Sequence, residues 1–146
     1  MAETLSIVGI GGTTAPASST EQALQIALRA AAAAGAAVTL FDGAYLSQLP
    51  HYAYGATEGC EEAGRLVVKN AIDYVEETAR DMRVYLDGLP VGLIVTAYGW
   101  QATGSTLATM RSIVHALRGW PTPLGAAIRS TSGMFVCASS ATRSET

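Results

Sequence analysis

Charge, cysteine and basic side chains are all scarce in this 146-residue chain. Charged residues make up 14% of it, and the basic set is one lysine, Lys69, with eight dispersed arginines. A protein that grips nucleic acid neutralises a row of phosphates with clustered Lys and Arg. No such stripe is present, and the net charge is -3, so a nucleic-acid partner is excluded. Two cysteines, Cys60 and Cys137, build no disulfide framework, and two separated histidines, His51 and His115, add no zinc set. No apolar run reaches the roughly 18 residues that a spanning helix needs, so no membrane partner is expected. The opening residues do not read as a secretory leader. Glu3 stands where a basic region belongs, and the helical pattern that follows carries Gln22, Gln25 and Arg29. The expectation is a cytoplasmic enzyme or binding domain.

What is present is apolar material, 49% of the chain, enough for one core. Residues 5–10 (LSIVGI) read as a buried strand ending at Gly11 and Gly12. Residues 13–19 are small, polar and broken by Pro16, which is a loop. Thr20 is placed to cap a helix with Glu21 in its first turn, and Ala23, Leu24, Ala27, Leu28 and Ala31 then recur at helical spacing up to Gly35. The alanine tract 30–34 reads as a helix surface that packs closely on a sheet. Residues 36–41 (AAVTLF) are a second strand, closed by Asp42 and Gly43. Strand, glycine loop, helix and strand make a right-handed βαβ unit with parallel strands.

Further along, residues 60–80 read as one continuous helix, 87–90 as a turn, 91–96 (VGLIVT) as a strand and 97–105 as a Gly/aromatic loop. Residues 107–118 read as a helix and 124–128 (LGAAI) as a last strand. The fold class is therefore α/β, an open parallel sheet whose ligand site is expected at the carboxyl ends of its strands. One domain spans 1–135 and an irregular tail, rich in Ser, Thr and Ala, spans 136–146.

The chemistry is concentrated in residues 11–20 (GGTTAPASST). They lie between a strand end and a helix start, where free N–H groups and the helix dipole favour an anion. Gly12 lets the backbone approach closely, and the hydroxyls of Thr13, Ser18, Ser19 and Thr20 are phosphate-binding candidates. The loop is neither a P-loop nor a G-x-G-x-x-G dinucleotide loop. A small-residue turn that binds nothing is the competing reading.

The stretch IVGIGGTTAPASSTEQAL resembles the first strand, loop and helix of the NAD(P)H-dependent FMN reductases, a flavodoxin-like family. In that family a Gly-Ser-x-Arg-x-x-Ser-x-Asn/Thr loop holds the flavin phosphate. Thr13 matches its first hydroxyl, Ser18 its second and Thr20 its helix cap, while Ala15 stands where the family has arginine. VVKNAIDYVEE, YLDGLPVGLIVTAYGWQATGS and ALRGWPTPLGAAI resemble later family segments in the right order. The resemblance implies a flavodoxin-like sheet and FMN with NAD(P)H as cofactors. It also implies a flavin-facing loop at Ala97, Tyr98, Gly99, Trp100 and Gln101. The implied reaction passes hydride to free flavin, a quinone or another small acceptor, and the flavin supplies the chemistry, so no catalytic side chain is assigned. A homodimer or homotetramer through the helix around Lys69 and Tyr74 is implied as well. For Trp100, packing at a subunit interface is an equal alternative.

The resemblance lacks its centre. Between residues 49 and 68 the family carries a helix, the third strand and a ring-binding Pro-x-Tyr-x-Gly-Ser loop, and this stretch is too short for all three. The final helix is missing too. A deletion, a piece absent from this chain or a rewired sheet would each leave that pattern, with residues 91–96 the candidate to take the place beside the first strand. A flavin-free module serving assembly or regulation is the alternative function. His51 reads as a surface loop residue, His115 as structural, and Asp73, Glu76 and Glu77 with Arg80 as a solvated ion-pair face.

Overall fold

A computed structural model describes residues 4–11, 13, 18–50 and 67–131 of the chain. Gly12, His51, Cys60, Cys137 and the tail 136–146 lie outside the described residues.

The expected βαβ unit is present. Strand β1 (Ser6–Ile10) leads to helix α1 (Ser19–Ala33) and to strand β2 (Ala37–Phe41), which pairs with β1 in parallel, Ile7 opposite Val38 and Gly9 opposite Leu40. Leu24 and Leu28 of α1 lie so close over Gly9 that a Cβ there would fall 2.7 Å from Leu28 Cδ1. Gly9 is thus what lets α1 seat directly on the strand, and Gly35, at φ +93°, turns the chain after α1. The helix starts two residues earlier than Thr20 as cap would give. Ser18 is the N-cap and its Oγ accepts from Glu21 N at 3.3 Å, while Thr20 sits inside the first turn. Glu21 at the third helical position completes the Ser-x-x-Glu signature, and its carboxylate accepts from Gln25 Nε2.

After β2 the closing turn proves to be a short helix, α2 (Gly43–Leu46), capped by the Asp42 carboxylate, which accepts from Tyr45 N at 2.8 Å. Of the helix expected over 60–80, the described residues form α3 (Val67–Asp73), followed by a 3₁₀ helix (Tyr74–Arg80) instead of continued α. Within the 3₁₀ helix the Thr78 hydroxyl donates to Val75 O and accepts from Tyr85 N, which ties this turn to the segment that follows. The tighter winding also removes the i,i+4 geometry expected of Glu76 and Arg80. Among the described residues an ion pair on this stretch joins Lys69 and Asp73.

The run 91–96 is broken at Gly92 and Leu93 into β3 (Pro90–Val91) and β4 (Ile94–Ala97). The loop expected over 97–105 contracts to Tyr98 and Gly99, because helix α4 (Trp100–Ala116) already begins at Trp100. Strand β5 (Trp120–Pro121) pairs with β3, and β6 (Ala126–Arg129) pairs with β4, both in parallel. Proline is tolerated in β5 because the ladder donors to β3 are its neighbours: Trp120 N donates to Leu89 O and Thr122 N to Val91 O.

The architecture is mixed α/β with short parallel strand pairs, β1–β2, β3–β5 and β4–β6. The expectation that residues 91–96 fill the place beside β1 is corrected: β4 pairs with β6, and no backbone hydrogen bond joins β4 to β1 among the described residues. Nor is β1 a buried strand. Gly9 is buried beneath α1, but Val8 and Ile10, on the opposite face, are more than half exposed. The core gathers instead where α1 and α4 meet the strands, at Ala23, Leu28, Leu93, Val95 and Val114. No described helix is long and apolar enough to cross a membrane.

Candidate functional site

Helix α1 runs back along β1, so its first turn returns to the carboxyl end of the sheet. There it meets β4. Thr20 Oγ1 lies 2.6 Å from Thr96 Oγ1, and Ser19 Oγ donates to the same atom at 3.5 Å. From the end of β6, Ser130 Oγ donates to Ser19 Oγ at 2.9 Å. Four hydroxyls from three elements thus form one chain. Each hydroxyl has a single proton. Ser130 gives its proton to Ser19 and Ser19 gives its own to Thr96, so one proton of the Thr96–Thr20 pair remains to donate outward. Ser18 spends only a lone pair on Glu21 N and keeps its proton as well. With the N–H groups of Ser19 and Thr20, which precede the first intrahelical bond, this is a small set of donors at a positive helix end.

Charge near this end comes from β6. Arg129 Nε donates to Tyr98 O at 3.2 Å, so its guanidinium lies beside the loop between β4 and α4 and one residue from Ser130. Among the described residues no group of His, Cys, Asp and Glu is arranged to hold a metal ion.

The expected residues fall into two groups. Ser18, Ser19 and Thr20 are brought to the ends of β4 and β6, beside Ala97, Tyr98 and Gly99. Tyr98 and Trp100 stand out into solvent, 81% and 63% exposed, and space above Gly99 is open, since a Cβ there would meet nothing within 4 Å. Trp100 and Gln101 belong to the first turn of α4 and not to a loop, so a second helix end faces the same edge of the molecule. Thr13 is held away from that cluster, against the start of α2. A Cβ on Gly43 would fall 2.1 Å from Thr13 O, so the two backbones touch. Gly12 lies outside the described residues. His115 is exposed in the last turn of α4, a favourable place for a cation at a negative helix end.

Four residues enter the site without having been singled out in the sequence: Gly43, Thr96, Arg129 and Ser130. Gly43 could have been noticed as a glycine at the end of a strand that neighbours the loop. The other three carry no local signal, because their relevance comes from strands that pair only in the folded chain. Two grooves on the surface lie elsewhere. One sits at the amino end of β1 among Leu5, Ile7, Ala34 and Gly35, and the other between α1 and β2 among Leu28, Val38 and Leu40. Their lining is mainly apolar and brings no set of polar groups together, so the hydroxyl cluster is the better-equipped place for a ligand.

No protein-family model matches the chain, and no curated protein or solved structure shows a significant match to it.

Proposed function

We propose that the chain is a flavodoxin-like, FMN-dependent oxidoreductase that takes hydride from NADH or NADPH and passes it to free flavin, a quinone or another small acceptor. The observation that carries this reading is the meeting of Ser19 and Thr20 with Thr96 and Ser130 at the carboxyl ends of parallel strands. That edge is where open α/β sheets bind phosphorylated ligands. FMN, when bound, supplies the hydride chemistry. The chain's own residues bind and orient it. Ser18 and the outward proton of the Thr96–Thr20 pair donate to phosphate oxygens, beside the first-turn N–H groups of α1. Arg129 stands in for the arginine replaced by Ala15. Residues 97–101 offer open backbone at Gly99 and the aromatic faces of Tyr98 and Trp100 to the ring.

A second reading has its own observation. Tyr98 and Trp100 are largely exposed, and the described residues close no pocket around them, as suits a flavin-free module serving assembly or regulation. FMN titration, followed by the change in flavin absorbance, separates the two. The first reading expects saturable one-to-one binding and reduction of the bound flavin on adding NADPH or NADH. An unchanged flavin spectrum, with no shift in the melting temperature of the protein, rejects it in favour of the second. In either case self-association as a homodimer or homotetramer is part of the proposal, through the helical face around Ile72.

A further inference from the structure

Helix α3 passes into the 3₁₀ helix without a break. Asp73, at the junction, keeps helical angles, φ -62° and ψ -32°, and its side chain makes no cap bond. The 3₁₀ winding then runs for seven residues. Runs beyond about three or four are uncommon, because i,i+3 bonds are poorly aligned and the side chains eclipse. The residues themselves do not select it: Glu76, Glu77, Ala79 and Arg80 are all good α-helix formers. In α winding Glu76 would stand one turn before Arg80, a favourable pair that offsets the repulsion of Asp73 and Glu77 at the same spacing. A winding that local preference does not select is set by contacts beyond the segment.

Two such contacts come from Tyr85. Its N–H donates to Thr78 Oγ1 at 3.2 Å, and its phenol is hydrogen-bonded to the Glu76 carboxylate. Tyr85 is itself unusual, at φ +55°, in the left-handed region that a bulky side chain rarely enters. The next residue anchors it: Leu86 N donates to Leu117 O, at the end of α4, at 3.0 Å. Two conformations that are each costly alone thus stand side by side, joined by two hydrogen bonds. A left-handed tyrosine persists only where its surroundings hold it, and such outliers gather at switch segments.

We propose that residues 74–80 are a two-state joint: 3₁₀ while Glu76 and Thr78 grip Tyr85, and α-helical, as a continuation of α3, once Tyr85 is released. An α-helix rises about 0.5 Å less per residue than a 3₁₀ helix and turns about 20° less. Rewinding the segment therefore draws its far end in by about 3.5 Å and rotates it by about 140°. Asp81, Met82 and Arg83, which follow, are exposed and take up the slack. Rewinding also sets Ile72, Val75 and Ala79 on one face of a single longer helix. The joint thus couples the end of α4, through Leu86 and Tyr85, to the length and face of α3. It does not rest on flavin binding.

Nuclear Overhauser contacts in the full chain test it, because Hα(i)–HN(i+2) contacts mark a 3₁₀ helix and Hα(i)–HN(i+4) contacts an α-helix. In the parent, residues 74–80 are expected to show the first set. The double variant Thr78→Val, Tyr85→Phe keeps the side-chain sizes and removes both grips. It is expected to show the second set and a stronger far-UV helix signal. Thr78→Ser keeps the acceptor for Tyr85 N and should match the parent. Should the double variant not fold, Thr78→Val and Tyr85→Phe are read singly, and each is expected to show both sets of contacts. A 3₁₀ pattern that persists unchanged through the variants overturns the proposal, and so does an α pattern in the parent.

Discussion

Ser18 does two jobs that an alanine substitution would confuse. Its Oγ caps α1 by accepting from Glu21 N, and in the proposed function its proton goes to the flavin phosphate. Ser18→Ala would cost about 1 kcal/mol of helix stability whatever the ligand. Ser18→Asp keeps the cap and favours the helix end, but sets a negative charge against the phosphate. The expected outcome is an unchanged or raised melting temperature with FMN affinity lowered at least about tenfold, on the order of 1.4 kcal/mol. Equal FMN dissociation constants in the two proteins would remove Ser18 from the site. Gly43 offers a second residue-scale test. Its Cβ would collide with the carbonyl of Thr13, a backbone atom that cannot rotate away. Gly43→Ala should destabilise the fold by about 1–3 kcal/mol and displace Thr13. Urea unfolding reads the first effect, and the NMR shift of the Thr13 amide reads the second.

Between elements, the joint of α1 to β4 and β6 rests on hydroxyls and so is open to a double-mutant cycle. Thr96→Val keeps the shape but leaves Ser19 without its acceptor and breaks the pair with Thr20. A loss of about 1 kcal/mol is expected. Thr20→Val should cost a similar amount, and the double variant less than the sum, since both remove one shared contact. Additive losses in urea midpoints would show that the two threonines are neighbours without being coupled. The 3₁₀ helix offers a pH test. Glu76 beside Tyr85 raises the phenol above its ordinary value of 10.0, chiefly by hydrogen bonding, then by partial burial and by charge, against a smaller lowering by Arg118. A pKa higher in the folded than in the unfolded chain means that the protonated phenol favours folding. Its contribution is complete below pH 10 and is lost as pH rises through the folded value. The difference in unfolding midpoint between the parent and Tyr85→Phe should therefore shrink across that window, and a constant difference would contradict the contact.

For the whole molecule, a short chain that leaves Val8, Ile10 and Leu5 exposed buries less apolar surface than it has available. Self-association is one remedy, and α3 is its proposed face. Asn70, which is buried, and Tyr74 both donate to Pro50 O at 2.9 Å, so they tie this stretch to Pro50 and leave Ile72 as the residue to test. In a symmetric dimer one substitution enters the interface twice. Ile72→Glu is expected to halve the mass seen by light scattering and Glu76→Gln to leave it unchanged. A monomeric parent would defeat the idea.

Local chemistry by itself determined the β1–α1–β2 unit: the alternation of small and apolar residues, the Ser18–Glu21 cap signature and the stop at Gly35 act within one turn or one strand, and each needs no distant partner. The start of α1 followed from the same unit, though its cap lies at Ser18, two residues before the expected Thr20. Tertiary structure alone decided the rest. The run 91–96 reads as one strand, yet it splits at Gly92 and Leu93: Val91 pairs with Pro121 of β5, and Ile94–Ala97 pairs with β6. Thr20 meets Thr96, and Ser130 meets Ser19, across 76 and 111 positions of chain. A serine or threonine has no local mark of such a meeting. Which hydroxyls face each other is set by strand pairing and helix packing, and these are chosen by the free energy of the whole core.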